Sequence, residues 1–405
     1  MEYIPKKLYI CVLKLFKMIT RLIENKLKTK LAKKKVIVLL GARQTGKTTL
    51  LSKFITNKSD ALWLNGDEYD VQQVFERPTS VQLKNMIGNH KIVIIDEAQR
   101  IFNIGIGLKL IYDNFPDIQL IATGSSAFDL KNRLNEPLTG RKLEYQLFPL
   151  SFEELVKHHG LLTEKRNLTT RLIYGSYPEV INNSGNEQQI LKFLADSYLY
   201  KDLLMLDSIK KPEKLIKLLQ ALAFQIGSEV SYNEIGNLIG IDSKTVENYI
   251  DLLEKSFIIF KLSSLNRNAR NELKLSKKIY FYDNGIRNAI INNFQIAEVR
   301  QDIGALFENY LVAEKMKANE YHSYFPRKYF WRTKDQQEID YVEEINGGFY
   351  AFEFKYNENK KVRFSKTFTN AYPNVECLVI SKSNYNDFLT KNLSVNTTIS
   401  ESIPK

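Results

Sequence analysis

The fold is decided by the stretch Val36-Ile37-Val38-Leu39-Leu40 and the residues that follow it directly, Gly41-Ala42-Arg43-Gln44-Thr45-Gly46-Lys47-Thr48. The apolar run predicts a buried strand, and the next eight residues fit G-x-x-x-x-G-K-[ST] at every fixed position. Glycines let such a loop point its N–H groups at phosphate oxygens, and a helix predicted from Thr49 onward offers its positive N-terminus to the same anion. We therefore expect residues 41–49 to bind a nucleotide. Lys47 would reach the β and γ phosphates, and the Thr48 hydroxyl would hold Mg²⁺.

A second apolar run, residues 92–95, ends in the carboxylates Asp96 and Glu97. Such a run predicts a buried parallel strand that delivers its acids at the carboxyl edge of a sheet. Asp96 would complete the Mg²⁺ shell, and Glu97 would orient or deprotonate the attacking water. A third strand, predicted at residues 120–126, ends in small polar residues. Ser125 in it would contact the γ-phosphate or the water, or would only form a turn.

These residues resemble the core of AAA-type ATPases, with Walker A at 41–48, Walker B at 92–97 and a sensor-like strand near Ser125. Further stretches resemble the bacterial and archaeal AAA-type ATPases that carry a C-terminal domain of unknown function: DEAQR at 96–100, TGSS at 123–126, GR at 140–141, PLSFEEL at 149–155 and GSYPE at 175–179. The resemblance runs from about Arg21 to about Ser381. It implies ATP and Mg²⁺ as cofactors and a homo-oligomer with ATP at the subunit borders.

Arginines near the end of this core are candidates for action on a neighbouring subunit. Arg141 follows the sensor-like strand, where an oligomeric ATPase could present a finger to the γ-phosphate bound next door. A structural ion pair is an equal alternative for Arg141, and Arg133 is a rival for the same role.

Composition suggests a multidomain chain with an acidic partner. At 405 residues, two to four domains are expected. The net charge of +12 favours nucleic acid as the partner, although the lysines within 26–35 would also simply solvate a helix. The two cysteines, Cys11 and Cys377, are far apart and predict no disulfide framework, which suits a reducing cytoplasm. The apolar segment 8–13 is too short to span a membrane, so we expect an amphipathic helix beside the ATPase core. A membrane partner is not the expected one, although peripheral contact of such a basic helix with anionic lipid stays open.

Beyond the core, apolar residues recur at helical spacing from Ile190 to Leu206, which indicates a helical lid. Three helical patterns follow at residues 214–226, 232–239 and 243–253, with Asp242 or Ser243 as the cap of the third, and residues 257–262 predict a strand. This order is typical of a winged helix. Several basic residues would then contact phosphates: Lys244, Arg267, Arg270, Lys274, Lys277 and Lys278. Because the third helix also carries Glu247, Asp251 and Glu254, a winged helix used for protein contact stays open.

The C-terminal third predicts a β-hairpin around Lys334-Asp335 and a strand, residues 349–355, in which Glu353 and Lys355 share one face. Asp340 followed by Glu353-Phe354-Lys355 resembles the PD-(D/E)xK nuclease core, with Glu308 matching the acid of its first helix. That resemblance implies a metal site of Glu308, Asp340 and Glu353, with Lys355 as a catalytic cation. An active nuclease and a nucleic-acid-binding relic remain equal alternatives.

The fold class expected is therefore α/β: a P-loop AAA-type ATPase core with a helical lid, a winged-helix segment and a C-terminal PD-(D/E)xK nuclease-like domain. The expected domains are an N-terminal helical segment (1–34), the ATPase core (35–150), the lid (151–210), the winged helix (211–290) and the nuclease-like domain (291–405). The function expected is a cytoplasmic, Mg²⁺-dependent ATPase coupled to a DNA-binding or DNA-cleaving module. The alternative is an ATP-dependent switch or scaffold whose nuclease-like domain is inactive and binds a protein.

Overall fold

The computed structural model of the protein describes residues 18–31, 34–53, 60–125, 134–196, 209, 211–266, 277–359 and 362–390. Some of the predictions concern residues outside these ranges. They are the ones for segment 8–13, Ser126, Arg133, the last part of the predicted lid helix up to Leu206, and the basic residues Arg267, Arg270 and Lys274.

Five parallel strands form the first sheet, in the order β2-β3-β4-β1-β5. They are β1 (Val36–Leu40), β2 (Ala61–Asn65), β3 (Ile92–Asp96), β4 (Gln119–Gly124) and β5 (Lys142–Gln146). Every residue of β1 is buried, as expected for a central strand covered on both faces. The three strands predicted for the core are thereby confirmed. Because all five strands are parallel, their carboxyl ends lie at one edge of the sheet, where the loops that follow β1, β3 and β4 meet.

Five helices accompany this sheet in the described residues: α1 (Ile23–Leu31), α2 (Lys47–Ser52), α3 (Tyr69–Glu76), α4 (Ser80–Ile87) and α5 (Ile104–Asn114). Buried residues of α1, including Ile23 and Leu27, join the main hydrophobic core together with β1. This agrees with a helix packed beside the core for the described part of segment 1–34. The close fit of α5 to its neighbour shows at Gly107, where a Cβ atom would lie 2.3 Å from the Phe75 ring.

A helical region follows, with α6 (Phe152–His159), α7 (Leu161–Arg166), α8 (Leu168–Tyr174), α9 (Pro178–Asn182) and α10 (Glu187–Ala195). Ser151 and Glu154 form a capping box at the start of α6, which satisfies backbone N–H groups that would otherwise lack partners. The helical character predicted for the lid is confirmed in these described residues.

The second sheet has seven strands in the order β12-β11-β10-β9-β7-β8-β6. They are β6 (Glu229–Val230), β7 (Ile259–Ser264), β8 (Lys277–Phe281), β9 (Arg327–Arg332), β10 (Glu338–Ile345), β11 (Gly348–Lys355) and β12 (Val375–Ser381). The predicted hairpin is confirmed, since β9 and β10 are antiparallel neighbours. Strand β7 pairs with β9 in parallel, so the strands predicted for a winged helix and those predicted for a nuclease-like domain belong to one sheet. The domain boundary at residue 290 remains a prediction.

The remaining helices within the described ranges are α11 (Pro212–Phe224), α12 (Tyr232–Ile239), α13 (Ser243–Lys255), α14 (Asn284–Ile290), α15 (Ile303–Tyr321), α16 (Lys366–Ala371) and α17 (Tyr385–Thr390). The three helices predicted before β7 are thus confirmed, and Asp242 caps α13 by accepting the Thr245 N–H. Helix α15 is buried on most of its surface and packs against α8, α17, β8 and β11. None of the helices in the described part of the chain has the length and apolar character needed to cross a bilayer.

Candidate functional site

The loop after β1 has the geometry of an anion-binding cradle. A Cβ atom at Gly41 would lie 2.1 Å from the Leu147 carbonyl oxygen, and Gly46 has a φ of 93°, so both positions require glycine. Lys47 is buried and donates to the carbonyl oxygens of Gly41 (2.8 Å) and Ala42 (3.0 Å). Its ammonium group therefore lies folded across the loop. Of the other loop residues, Arg43 is half-buried, Gln44 is exposed to solvent and Thr45 is fully buried.

The loop and strand β3 meet through a hydroxyl and a carboxylate. Thr48 Oγ1 donates to Asp96 Oδ2 at 2.9 Å, and Thr49 follows it, exposed, in the first turn of α2. The other Asp96 oxygen accepts from the hydroxyl of Thr123 on β4 and from the Glu97 N–H. Asp96 is thus held from two strands, with one oxygen directed at Thr48. The structure brings together the two residues predicted to share Mg²⁺.

Glu97 has a left-handed backbone, with φ 49°, immediately after β3. Its Oε2 atom accepts from Gln99 Nε2 at 2.5 Å and from Ser125 Oγ at 3.2 Å, and Gln99 also donates to Ser125 at 3.0 Å. Ser125 is therefore close enough to contact Glu97 directly, which places the sensor-like strand end beside the predicted water-activating group. The Gln99 Oε1 atom is buried without a hydrogen-bond partner.

Sequence reasoning missed two residues of this site, Thr123 and Gln99. Gln99 lies in the DEAQR stretch and Thr123 in the TGSS stretch, and they contact the carboxylates of Glu97 and Asp96. Their roles depend on β3 and β4 being neighbours, which residue spacing alone does not reveal.

A cavity of about 150 Å³ opens beside the loop. Its wall combines apolar side chains with loop residues and with the first and last residues of α9: Met18, Ile19, Arg21, Thr45, Gly46, Thr49, Leu50, Lys53, Leu150, Pro178 and Asn182. The cavity borders the phosphate-binding loop on the side of the N-terminal segment.

Arg141 lies at the opposite edge of the same sheet. Its carbonyl oxygen accepts from the Val36 N–H at the beginning of β1, whereas the phosphate-binding loop follows the end of β1, about 16 Å away along the strand. The guanidinium makes a two-pronged pair with Asp113, at 3.0 Å and 3.4 Å, and both side chains are more than one-third exposed. Arg141 therefore cannot contact a nucleotide bound by its own subunit. Its predicted role requires a neighbour.

We call the described residues from 211 to 390, which form the seven-stranded sheet and its helices, the C-terminal unit. There the structure brings together all four residues of the nuclease-like pattern. Lys355 Nζ lies 2.7 Å from Glu353 and 3.6 Å from Asp340, and Asp340 accepts the Phe354 N–H at 2.8 Å. Glu308 on α15 pairs with Lys278 of β8 at 3.1 Å. We call these residues, together with Glu338 and Tyr280, the carboxylate cluster.

Lys278 was missed as a member of this cluster. It is 1% exposed and contacts both Glu308 and Glu338, the latter at 2.5 Å. The prediction that Lys278 contacts nucleic-acid phosphates is therefore wrong, because the ammonium group is buried between carboxylates. Lys277 donates to Ser263, while Lys244 is exposed on α13 and remains a candidate.

The carboxylate oxygens suit a hard cation in type, but their arrangement does not fit one. Glu308 is engaged by Lys278 and Tyr280, Glu353 by Lys355, and Asp340 by a backbone N–H. Across the described residues, no group of three or more Asp, Glu, His or Cys side chains is placed to hold a metal ion. The metal role of Glu308, Asp340 and Glu353 stays a prediction, and the described geometry does not support it.

The cluster carries more negative charge than its lysines balance. Burial, followed by the nearby charge of Asp340, raises the pKa of Glu353 to about 7. Burial also raises the pKa of Glu308 to about 7, against the opposing influence of Lys278. The ordinary value is 4.5, so the folded protein holds protons at these groups that the unfolded chain has already released between about pH 4.5 and pH 7.

This difference predicts that the free energy of unfolding falls as pH rises from about 5 to 8. In Glu353→Gln this fall in the free energy of unfolding should be smaller by about 1–3 kcal/mol, since one pKa unit corresponds to about 1.4 kcal/mol. Thermal unfolding across that pH range measures the change, with Glu376→Gln, an exposed acid on β12, as the matched control. An unchanged pH dependence in Glu353→Gln would refute the assignment. A midpoint raised by Mg²⁺ in wild type but not in Glu353→Gln would show that the cluster does bind the cation.

The parallel sheet, the glycine-rich loop after β1 and the acids after β3 define a P-loop nucleotide-binding domain. Residues 33–156 match the family described as AAA domain, and together these observations support an AAA-type ATPase. Residues 165–297 and 303–399 match two families described as domains of unknown function, DUF8612 and DUF4143. The C-terminal domain of unknown function expected from the resemblance is confirmed.

The chain is also similar to uncharacterized proteins of bacteria and archaea. One from Haemophilus influenzae is 27% identical over 276 residues, which cover 63% of this chain and 68% of the relative. One from Methanocaldococcus jannaschii is 25% identical over 268 residues, covering 61% of this chain and 60% of the relative. Among solved structures, a Walker-type ATPase of Pyrococcus abyssi is 17% identical and covers 66% of this chain and 94% of its own, with a TM-score of 0.46. That score does not establish a shared overall architecture.

Proposed function

We propose that the protein is a Mg²⁺-dependent ATP hydrolase whose nucleotide cycle acts on a partner bound by the C-terminal unit. The observation that carries the hydrolase is the contact of Thr48 with Asp96 at 2.9 Å, next to Glu97. A hydroxyl and a carboxylate oxygen that are hydrogen-bonded to each other suit Mg²⁺, which takes its remaining ligands from phosphate and water. The ion would neutralise charge on the β and γ phosphates.

Some residues of the site bind the phosphates, and others activate the attacking water. Loop N–H groups and Lys47 bind the phosphates, and Lys47 leaves the carbonyl oxygens of Gly41 and Ala42 to do so. Glu97 accepts a proton from the attacking water or orients it, while Gln99 and Ser125 hold its carboxylate in place. The cavity of about 150 Å³ beside Gly46 takes the base, because its apolar wall suits the faces of a flat ring.

A neighbouring subunit would add a positive charge at this site. Arg141 lies away from the phosphate-binding loop of its own subunit, and charge stabilisation at the γ-phosphate is worth a large rate factor in related chemistry. We propose that Arg141 leaves Asp113 and contacts the nucleotide of a neighbouring subunit. The pair with Asp113 is more than one-third exposed, so little free energy opposes the exchange.

For the C-terminal unit we propose binding of DNA without cleavage, in the cytoplasm. The support is the net charge of +12 and the exposed Lys244 on α13, while the engaged carboxylates argue against a cutting centre. A protein scaffold is the second candidate. The acids of α13 favour the scaffold. Asp251 and Glu254 contact Lys261 at 2.5 Å and 2.8 Å, so this lysine is not free to bind a phosphate.

Salt dependence separates these two candidates. If DNA is the partner, duplex DNA should stimulate ATP turnover in Mg²⁺, and DNA affinity should fall about tenfold or more between 50 mM and 200 mM salt, because several phosphates release counterions. EDTA should stop turnover in either case. Turnover that DNA does not change, together with DNA affinity too weak to measure at 50 mM salt, would leave the scaffold. Cleavage of the DNA in Mg²⁺ or Mn²⁺ would overturn the proposal of binding alone.

A further inference from the structure

One buried guanidinium connects the N-terminal segment to the phosphate-binding loop. Arg21 is 7% exposed, and its Nη1 atom donates to the Thr45 carbonyl oxygen at 2.7 Å. Its Nη2 atom donates to the Phe148 carbonyl oxygen at 2.6 Å, and its Nε atom donates to Glu154 at 3.0 Å. Arg21 therefore binds the loop backbone at Thr45 and connects it to Phe148 and Glu154.

The contact with Thr45 decides where the next N–H group points. A trans peptide is planar, so its carbonyl and its N–H are directed to opposite sides. With the Thr45 carbonyl oxygen bound to Arg21, the Gly46 N–H is directed away from Arg21, into the cradle. Gly46 has a φ of 93°, a conformation that needs an outside constraint to be the only one populated, because glycine is permissive. Arg21 supplies this constraint.

The same guanidinium contacts the last residue of helix α15. Arg21 Nη2 donates to the Tyr321 hydroxyl at 3.3 Å, and that hydroxyl accepts the Phe148 N–H at 3.2 Å. Tyr321 is the last residue of α15, and Glu308 of the carboxylate cluster lies 13 residues earlier on the same helix, about 20 Å away. Helix α15 thus runs from the carboxylate cluster at Glu308 to Tyr321, whose hydroxyl contacts Arg21.

Glu154 fixes the position of Arg21. It is fully buried and also accepts the N–H groups of Leu22 (2.8 Å) and Ser151 (2.9 Å). A pair this buried is rigid, because every displacement would leave a charge without its partner. Arg21 therefore cannot move independently of the groups that it contacts. A displacement of the loop at Thr45 should also displace those groups.

We propose that Arg21 is a positioning residue that sets the phosphate-binding loop for the nucleotide and, through Tyr321, couples nucleotide binding to helix α15. This inference rests on the proposed ATP binding and adds the route by which the C-terminal unit responds to it. In the structure Arg21 contacts the loop through the Thr45 carbonyl oxygen, and it also lines the cavity proposed for the base.

ATP affinity tests the positioning role. Arg21→Lys keeps the positive charge but cannot make the same set of bonds, so the KM for ATP and the Kd should rise about tenfold or more, with a smaller change in kcat. A double variant, Arg21→Met with Glu154→Gln, avoids leaving a buried carboxylate unpaired and should show the same weakening. The matched control is Lys26→Met: Lys26 contacts Ser323 at 2.6 Å and the Glu320 carbonyl oxygen at 3.4 Å, near the end of α15, but not the loop. It should bind ATP like wild type.

Hydrogen exchange tests the coupling. ATP should slow amide exchange at residues 317–322 of wild type, and Tyr321→Phe should lose this protection while its Kd for ATP changes less than about twofold. Unchanged ATP affinity in Arg21→Lys would overturn the positioning role, and unchanged exchange at 317–322 in ATP-saturated wild type would overturn the coupling. If wild type itself bound no ATP, the proposed function would fail, which is a result distinct from both.

Discussion

Replacing Glu97 with glutamine is expected to stop ATP turnover while leaving ATP bound. The carboxylate proposed to accept the proton of the attacking water is lost, but the phosphate-binding loop, Thr48 and Asp96 are unchanged. General-base catalysis typically contributes about 10²–10⁴-fold, so kcat should fall by that order with little change in the Kd for ATP. Single-turnover hydrolysis and equilibrium binding measured on the same preparation give the two numbers.

Lys47→Ala is the matched comparison because it removes binding instead of chemistry. Its ammonium group is the cation that the loop offers to the β and γ phosphates, so tight nucleotide binding should be lost. The two variants together separate a binding defect from a chemical defect. If Glu97→Gln hydrolysed ATP as fast as wild type, Glu97 would not be the residue that activates water.

Arg141→Ala is expected to lower turnover by about 10³-fold or more, by analogy with arginine fingers, without weakening ATP binding by the same factor. The expectation follows from the position of Arg141 at the sheet edge opposite its own loop, where only a neighbouring subunit can use it. Asp113→Asn is the control, because it breaks the same ion pair and leaves the arginine present. Asp113→Asn should keep turnover near that of wild type.

Mixing variants tests whether Arg141 acts between subunits. Arg141→Ala retains an intact loop, and Lys47→Ala retains an intact arginine, so oligomers that contain both should recover part of the activity that each lacks alone. Absence of recovery in mixed oligomers would contradict action in trans. So would a wild-type protein that stays monomeric with ATP and Mg²⁺ while it hydrolyses ATP at its normal rate.

Short-range patterns were enough to predict the nucleotide site. An apolar strand, a glycine loop and a helix start occupy consecutive positions from Val36 to Ser52, and their geometry follows from local backbone preferences. The acids Asp96 and Glu97 could be placed at the same sheet edge because parallel strands share the direction of their ends. The nuclease-like resemblance grouped Glu308, Asp340, Glu353 and Lys355, and the structure places Lys355 beside Glu353 and Asp340. Their role stays a prediction.

The sequence was less informative about side chains whose contacts are with residues far away along the chain. Lys278 looked like a surface cation in a basic stretch, but it is buried against Glu308 of α15 and Glu338 of β10. A buried lysine has the same sequence signature as an exposed one, since its burial depends on what packs over it. The charge pattern therefore indicated a phosphate contact where the structure has an ion pair.

What the sequence by itself determined is the chemistry of each segment: the phosphate-binding loop, the acids at the strand ends and the carboxylate pattern of the C-terminal third. The tertiary structure alone decided how these segments are connected. Arg21 contacts Thr45, Glu154 and Tyr321, which are 24, 133 and 300 residues away along the chain. Periodicity and motif spacing describe neighbours within a few residues, whereas contacts at such separations exist only after the sheets and helix α15 have packed.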